Sequence, residues 1–324
     1  MKLPRRQFLH LAAGAALPAV SRVAGAQAYP TRPVRVMVGF APGQAIDIVT
    51  RIIGQRLSER LGQQFIIENR PGAGGNIATE VVARAPADGY TLLAIGSNNM
   101  INPTLYQNLN YDFIRDIAPV ASVYRVPQVM EVNPSFPAKT VPEFIAYAKA
   151  HPGEISFASA GNGSVAHVTG ELFKMMTGVN MLHVPYRGAP PALTDLIAGH
   201  VHVMFDNVPS SIEHIRAGRL RPLAVTATTR LEALPDVPPL GDFVPGFETS
   251  AWAGIGAPKN TPAEIIDTLN REINAVLADP TIKTRIAELG GEMLALSPGE
   301  YTRRIAEETD KWAKVIKFSG AKAE

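Results

Sequence analysis

Val34-Arg35-Val36-Met37-Val38-Gly39-Phe40-Ala41-Pro42-Gly43-Gln44-Ala45-Ile46-Asp47 decides the fold. Val34 to Val38 reads as a strand and Phe40 to Gln44 as a turn. Ile46, Val49, Ile52, Ile53 and Leu57 then recur at helical spacing, and Gly62 stops the helix. A strand, a glycine-bearing turn and a helix make one βα unit, and the unit recurs. Phe65 to Glu68 is the next strand, followed by the glycine-rich Pro71-Gly72-Ala73-Gly74-Gly75. A helix spans about Ile77 to Arg84, and Tyr90 to Ile95 is a strand.

The pattern then restarts. Strands are expected at Val126–Val132, Ile155–Ala158, Leu182–Val184, Val201–Phe205, Leu220–Thr226 and Trp252–Ala257. Helices are expected at Pro142–His151, Ser164–Thr177, Ala192–Ala198 and Ile212–Ala217, with Leu234 to Pro245 a proline-rich loop. Three helices close the chain: Pro262–Leu277, Thr281–Leu289 and Pro298–Phe318. Strands alternating with helices predict an α/β protein with parallel sheets built from right-handed βαβ units. Two such sheets and a late return segment predict two lobes joined by two chain crossings, near Val123–Val126 and Thr249–Trp252. Lobe 1 is then residues 29–125 plus 251–324, and lobe 2 is residues 126–250.

The first 28 residues read as an export address. Arg5-Arg6 precede a mildly apolar run from Leu9 to Val20, and Ala26-Gln27-Ala28 is a small-x-small cleavage pattern. The run is shorter than the roughly 20 residues a membrane helix needs. Paired arginines before weak hydrophobicity suggest a twin-arginine signal cleaved after Ala28, although the general secretory route can carry two arginines as well. The segment holds four basic residues (Lys2, Arg5, Arg6, Arg22) and no acid, so the other 296 residues carry 27 basic and 29 acidic side chains, a charge of −2. That balance offers no nucleic-acid surface. The chain has no cysteine, which excludes disulfides and thiol chemistry, and its 46% hydrophobic content is enough for sizeable cores.

Ligands of open parallel sheets bind at the carboxyl ends of strands. Two loops there carry small residues where a helix begins: Phe40 to Asp47, and Ser159-Ala160-Gly161-Asn162-Gly163-Ser164. Unpaired N–H groups and the helix dipole favour an anion at such points by roughly 0.3–1 kcal/mol. For the second loop a Ser164 N-cap and turn are weighted equally with anion binding. Asp47 could equally serve its own helix. Pro71 to Asn76 lacks the ending of a P-loop and is expected as a tight turn in the cleft wall. His167 and Glu171 share a helix face, but no second histidine completes a metal motif, so His167 is expected as a cleft-lining or packed residue. His200 and His202 are expected to be solvated or packed. No nucleophile elbow surrounds Ser164. Tyr186, Asp206 and Asn207 fall at strand ends, where they could line the cleft or cap loops.

These residues carry a resemblance. The chain resembles the tripartite tricarboxylate transporter substrate-binding proteins, the Bug family, over essentially all of residues 29–324. The matching blocks include Tyr29-Pro30-Thr31-Arg32-Pro33-Val34-Arg35, Glu68-Asn69-Arg70-Pro71-Gly72-Ala73-Gly74-Gly75-Asn76, and Asp88-Gly89-Tyr90-Thr91-Leu92-Leu93. Ser159 to Ser164, His183-Val184-Pro185-Tyr186-Arg187-Gly188, Met204-Phe205-Asp206-Asn207 and Leu234-Pro235-Asp236-Val237-Pro238 continue it. The resemblance implies a type II-like, two-lobed periplasmic binding protein fold. It implies a monomer in the periplasm that captures a small carboxylate without a cofactor or metal and delivers it to membrane permease subunits. Carried over by motif, Phe40, Gly43, Gln44, Ala45 and Asp47 belong to the first recognition loop. Ser159, Ala160, Gly163, Ser164 and His167 belong to the second, and Ser97, Asn98, Tyr186 and Asp206 line the walls. The family usually has Gly-Gly after the first-loop proline; here it is Gly43-Gln44, which leaves the ligand type open. An exported hydrolase or lyase using His167 or Asp47 as a base, and a ligand-dependent sensor partner, are the alternatives.

Overall fold

The computed structural model describes residues 29–288 and 291–323. The export signal and its cleavage site lie outside the described residues, as does the end of the helix expected to reach Leu289.

The first unit forms as its residue pattern requires. β1 (Val34–Val38) and β2 (Phe65–Asn69) flank α1 (Ala45–Leu61), which buries Val49, Ile53 and Leu57 at helical spacing and ends at Gly62 with a left-handed φ of 69°. α2 (Asn76–Ala83) and β3 (Thr91–Gly96) follow, then α3 (Asn98–Leu105), α4 (Phe113–Asp116) and β4 (Ile117–Val132). The next units are α5 (Val141–Ala150), β5 (Ile155–Ser159), α6 (Val165–Thr177), β6 (Met181–Pro185), α7 (Ala189–Ala198), β7 (Val203–Asn207), α8 (Val208–Arg216) and β8 (Arg221–Val225). β9 (Ser250–Pro258), α9 (Ala263–Leu277), α10 (Pro280–Glu288), β10 (Glu292–Met293) and α11 (Pro298–Ser319) complete the chain.

The strands form one path, β2-β1-β3-β9-β4-β7-β5-β6, with β8 and β10 also paired to β4. The expectation of parallel sheets holds only at the two flanks, where β2, β1 and β3, and then β7, β5 and β6, run parallel. The centre is antiparallel: β9 pairs antiparallel with both β3 and β4, and β4 with β7. The sheet is therefore mixed. The physical reason is β4, expected only from Val126 but in fact 16 residues long and nearly all buried. Pro119 and Pro127 punctuate its sequence, yet register shifts near Pro119 and Tyr124 absorb the irregularity. Its first part pairs with β9 and its last part with β7 and β8, so one strand serves both flanks.

Two large apolar clusters lie on the faces. One gathers Val36, Val49, Ile53, Ile255, Leu269 and Ile273 around α1 and α9. The other runs from Ile95 and Ile101 through Phe144, Phe157, Phe173 and Phe205 to Tyr301 and Trp312. α11 lies across this second face, packing on both α3 and α6, and its Trp312 is fully buried.

Candidate functional site

The pairing registers bring the ends of the strands together. β3 ends at Gly96, opposite Ala253 of β9, which in turn faces Tyr124 of β4. β7 ends at Asn207, opposite Gln128 of β4. β3 runs in the same direction as β4, and β7 runs against it. The carboxyl ends of both parallel flanks therefore converge on β4 from opposite sides, between Tyr124 and Gln128. Four residues of strand span roughly 13 Å, before sheet twist. At the same place Val126 pairs with Ala251 and Arg125 with Trp252, the two stretches expected as chain crossings.

The helices entering from these ends carry few caps. α1 has Gln44 as its N-cap residue, extended at φ −75° and ψ 156°, with no side chain bonded to the helix end. α3, α7 and α8, which follow β3, β6 and β7, also lack a side-chain cap. Backbone N–H groups at such ends need an acceptor, and an anion supplies one.

The first loop is built by Asp47. Its carboxylate accepts from the Gly43 N–H at 2.9 Å, from Arg51 Nε at 3.1 Å and from Asn69 Nδ2 at 2.8 Å. Asn69 also donates to the Phe40 carbonyl at 3.0 Å, so one amide and one carboxylate fix both ends of the turn. Burial alone would raise the Asp47 pKa, but the Arg51, Gly43 and Asn69 hydrogen bonds prevail and hold it below the ordinary carboxylate range. Asp47 is thus an ionised strut with its lone pairs in use. Gly43 spends its N–H on that strut, at φ 86°. Gln44 and Ala45 are exposed, and the Phe40 ring packs against the core of the first flank. The expected tight turn in the wall is a short 3-10 turn at Ala73–Gly75. A side chain at Gly39 would run into the Gly75 Cα at 2.6 Å, so residue 39 must be glycine for the two backbones to meet.

The second loop is mostly self-satisfied. Ser164 caps α6 by accepting from the His167 N–H at 3.2 Å, and its own N–H bonds to Gly161 O. The Gly163 N–H donates to His167 Nδ1 at 3.0 Å, and the Gly161 N–H to Ser159 Oγ at 3.1 Å. Capping, held open beside anion binding, is present; Val165 and Ala166 open the helix. Gly163 has φ 72°, and a Cβ there would strike Leu105 of α3. His167 is buried and stacks on His183, with ring centroids 3.9 Å apart. Burial, helped by Lys174, pushes the His167 pKa down to about 4. Its Nδ1 accepts from Gly163, so the neutral ring carries its proton on Nε2 and has no lone pair to act as a base. His183 lies within 2.6 Å of Ser159 Oγ and is lowered to about 3, by burial first and then by its two cationic or polar neighbours.

The residues expected in the walls divide. Asn98 is half-buried at the first turn of α3, and Ala160 is half-buried after β5. Ser97 is buried and accepts from the Trp252 N–H at 2.7 Å, tying β3 to β9. Tyr186 donates to Asp195 at 2.7 Å. Asp206 lies beneath the surface rather than on it. It is 3% exposed, and Ser211 reaches both Asp206 Oδ2, at 3.3 Å, and Glu131 Oε1, at 2.6 Å. Burial raises Asp206 to about 6 and Glu131 well above its usual value. Sequence reading overlooked Glu131, Asn69, Arg51 and the buried Gln128, which joins Thr169, Phe205 and Thr249. Only Arg51 had an available signal, its i,i+4 spacing from Asp47. Among the described residues no three His, Asp or Glu side chains gather as a metal site, and no helix is long and apolar enough to cross a membrane.

A profile described as "Tripartite tricarboxylate transporter family receptor" matches residues 49–321. Protein BugT of Bordetella pertussis is 37% identical over 300 residues, covering 92% of each chain. Among solved structures, Rhodopseudomonas palustris Rpa4515 with adipate is 40% identical with a TM-score of 0.77, covering 90% of this chain and 98% of that one. MatC from the same organism, with bound malate, is 32% identical with a TM-score of 0.74, covering 89% of this chain and all of that one. The α/β periplasmic binding protein fold expected from the sequence is the fold of these neighbours.

Proposed function

The chain belongs to the tripartite tricarboxylate transporter receptor family, and from that premise we propose that it is a non-catalytic receptor for a small mono- or dicarboxylate. The acid sits where the two sets of strand ends converge on β4, and the unpaired amides at the amino end of α1 receive one carboxylate. The observation that carries this reading is that convergence, together with an α1 end left open by its own side chains. Neighbours of this fold hold adipate and malate, both small dicarboxylates.

The two lobes are residues 29–125 with 251–324, and residues 126–250. They hinge at the paired stretches of β4 and β9, and closure follows the acid's tighter binding to the shut form. The receptor works as a monomer in the periplasm after removal of residues 1–28 and delivers its ligand to membrane permease subunits. The hydrolase reading is disfavoured by Asp47, whose lone pairs are occupied, and by His167, whose basic nitrogen is bonded to Gly163. Calorimetry of the purified protein against a panel including adipate and malate tests the reading. Affinity at or below about 1 μM, near −8 kcal/mol, is expected for at least one acid. A folded protein that binds none of them, or turns one over, refutes it.

A further inference from the structure

A second cavity, of about 350 Å³, lies on the flank of the 126–250 segment and is lined by His167, Glu171 and Lys174 of α6, by His183 of β6, and by Asn162 and Lys322. It lies behind the second loop, with which it shares Asn162 and His167. β6 contributes its amino-terminal half, whereas ligand cavities of the cleft face the carboxyl ends. Lys174 stands ten residues along the strand-distal course of α6 from Ser164, roughly 15 Å at 1.5 Å per residue.

His167, Glu171 and Lys174 follow one another at i, i+4 and i+7 and so share one helix face. Glu171 is already neutralised by Lys174, which donates to Oε1 at 2.9 Å. The second Glu171 oxygen is buried away from the space. What the wall offers is therefore donors: the remaining Lys174 N–H groups, the exposed Lys322 ammonium, and His167 Nε2–H, which is protonated because Nδ1 accepts from Gly163. Three nitrogen donors and a net positive charge around an open cavity suit a small oxyanion.

We propose that this cavity is a second binding site, for a small oxyanion such as phosphate, sulfate or a second carboxylate, held by Lys174, Lys322 and His167 Nε2–H. The site has a route to the cleft. The same His167 ring fixes the Gly163 amide, and His183, stacked on it, sits on Ser159, so both histidines brace the second loop from behind. An anion on Nε2–H orients the ring that orients the loop, and any resulting coupling is reciprocal between the two ligands. This last step rests on the carboxylate reading of the cleft; the anion site itself does not.

The test is calorimetric titration of the purified protein with inorganic phosphate and with sulfate, at ionic strength held constant with chloride. Saturable binding with millimolar Kd is expected. Lys322→Glu, on an exposed tail, should weaken it at least fivefold, and Lys174→Met should do the same with an unchanged circular dichroism spectrum. Binding of phosphate should persist when the cleft is saturated with adipate; an adipate stoichiometry near two would identify a carboxylate as the occupant instead. Absence of saturation, equal affinity in wild type and Lys322→Glu, or full displacement of phosphate by one equivalent of adipate overturns the proposal. Failure of adipate to bind at all strikes the cleft reading alone, because the phosphate titration of wild type and Lys322→Glu does not involve it.

Discussion

Ala45→Pro isolates the role given to the α1 amino end. Ala45 is the first helical residue, and the Gln44 N-cap before it is extended at φ −75° and ψ 156°. Proline is favoured at that helical position and requires an extended predecessor, so the backbone already fits it. No side chain caps this end, so the lost N–H takes nothing from the fold. Unfolding free energy should stay within about 1 kcal/mol of wild type. The bound acid, in contrast, loses one charge-assisted hydrogen bond, worth about 1.5–3 kcal/mol. At 1.4 kcal/mol per decade that is roughly a 10- to 100-fold rise in Kd. Calorimetry with the tightest-binding acid reads the affinity, and guanidinium denaturation reads the stability. Ala45→Gly, which keeps the N–H, should hold affinity within a few-fold. Unchanged affinity in a well-folded Ala45→Pro would refute the claim that this helix end grips the ligand.

Three further outcomes follow from the geometry. Asp47→Asn should cost about 2–4 kcal/mol, because a charged acceptor of several donors is lost while its Gly43 and Asn69 donors stay in place. Since the folded pKa of Asp47 is depressed, its stabilisation is present above the unfolded value near 4 and fades as pH falls through the folded one; melts from pH 7 to pH 3 should be flatter in the variant. Glu131→Gln should act with the opposite sign. Glu131 and Asp206 both have raised pKa values, Asp206 to about 6, so their contribution is complete at low pH and is lost as pH rises through the folded values; the fall in melting temperature between pH 5 and pH 8 should shrink in the variant, and an unchanged fall would count against Glu131 as a group whose burial couples folding to pH. Gly163→Ala should lower stability by more than the roughly 1 kcal/mol of a positive-φ penalty, since its Cβ meets Leu105, and should weaken acid binding in the same calorimetric panel.

Much of the fold was legible because apolar periodicity is local. The strand at Val34–Val38 and the helix from Ala45 could be read from successive side chains alone. α3 was not expected, because Asn98, Asn99 and Asn102 with Pro103 inside interrupt any apolar periodicity; the helix persists because Asn99 bonds Gly96 and Thr79, and Asn102 bonds Gly74 and Asn76. Those partners lie up to 28 residues away in sequence, beyond any window of periodicity. β4 was half-read for the same reason: its pairing with β9 spans more than a hundred residues. The candidate loops were placed by glycine and strand ends, yet the use of their amides was hidden. Nothing in the sequence distinguishes a Gly43 N–H spent on Asp47 from the open end beside Gln44, and Asp206 at a strand end looks like a wall until Ser211 and Glu131 are seen beneath it.

The most direct test is a crystal structure of the protein with its tightest-binding acid. One carboxylate should lie within hydrogen-bond distance of the backbone nitrogens of residues 45–47, with the far end of the acid between the loops after β3 and β5. An acid seated away from the α1 end, or held there chiefly by charged side chains, would contradict the account.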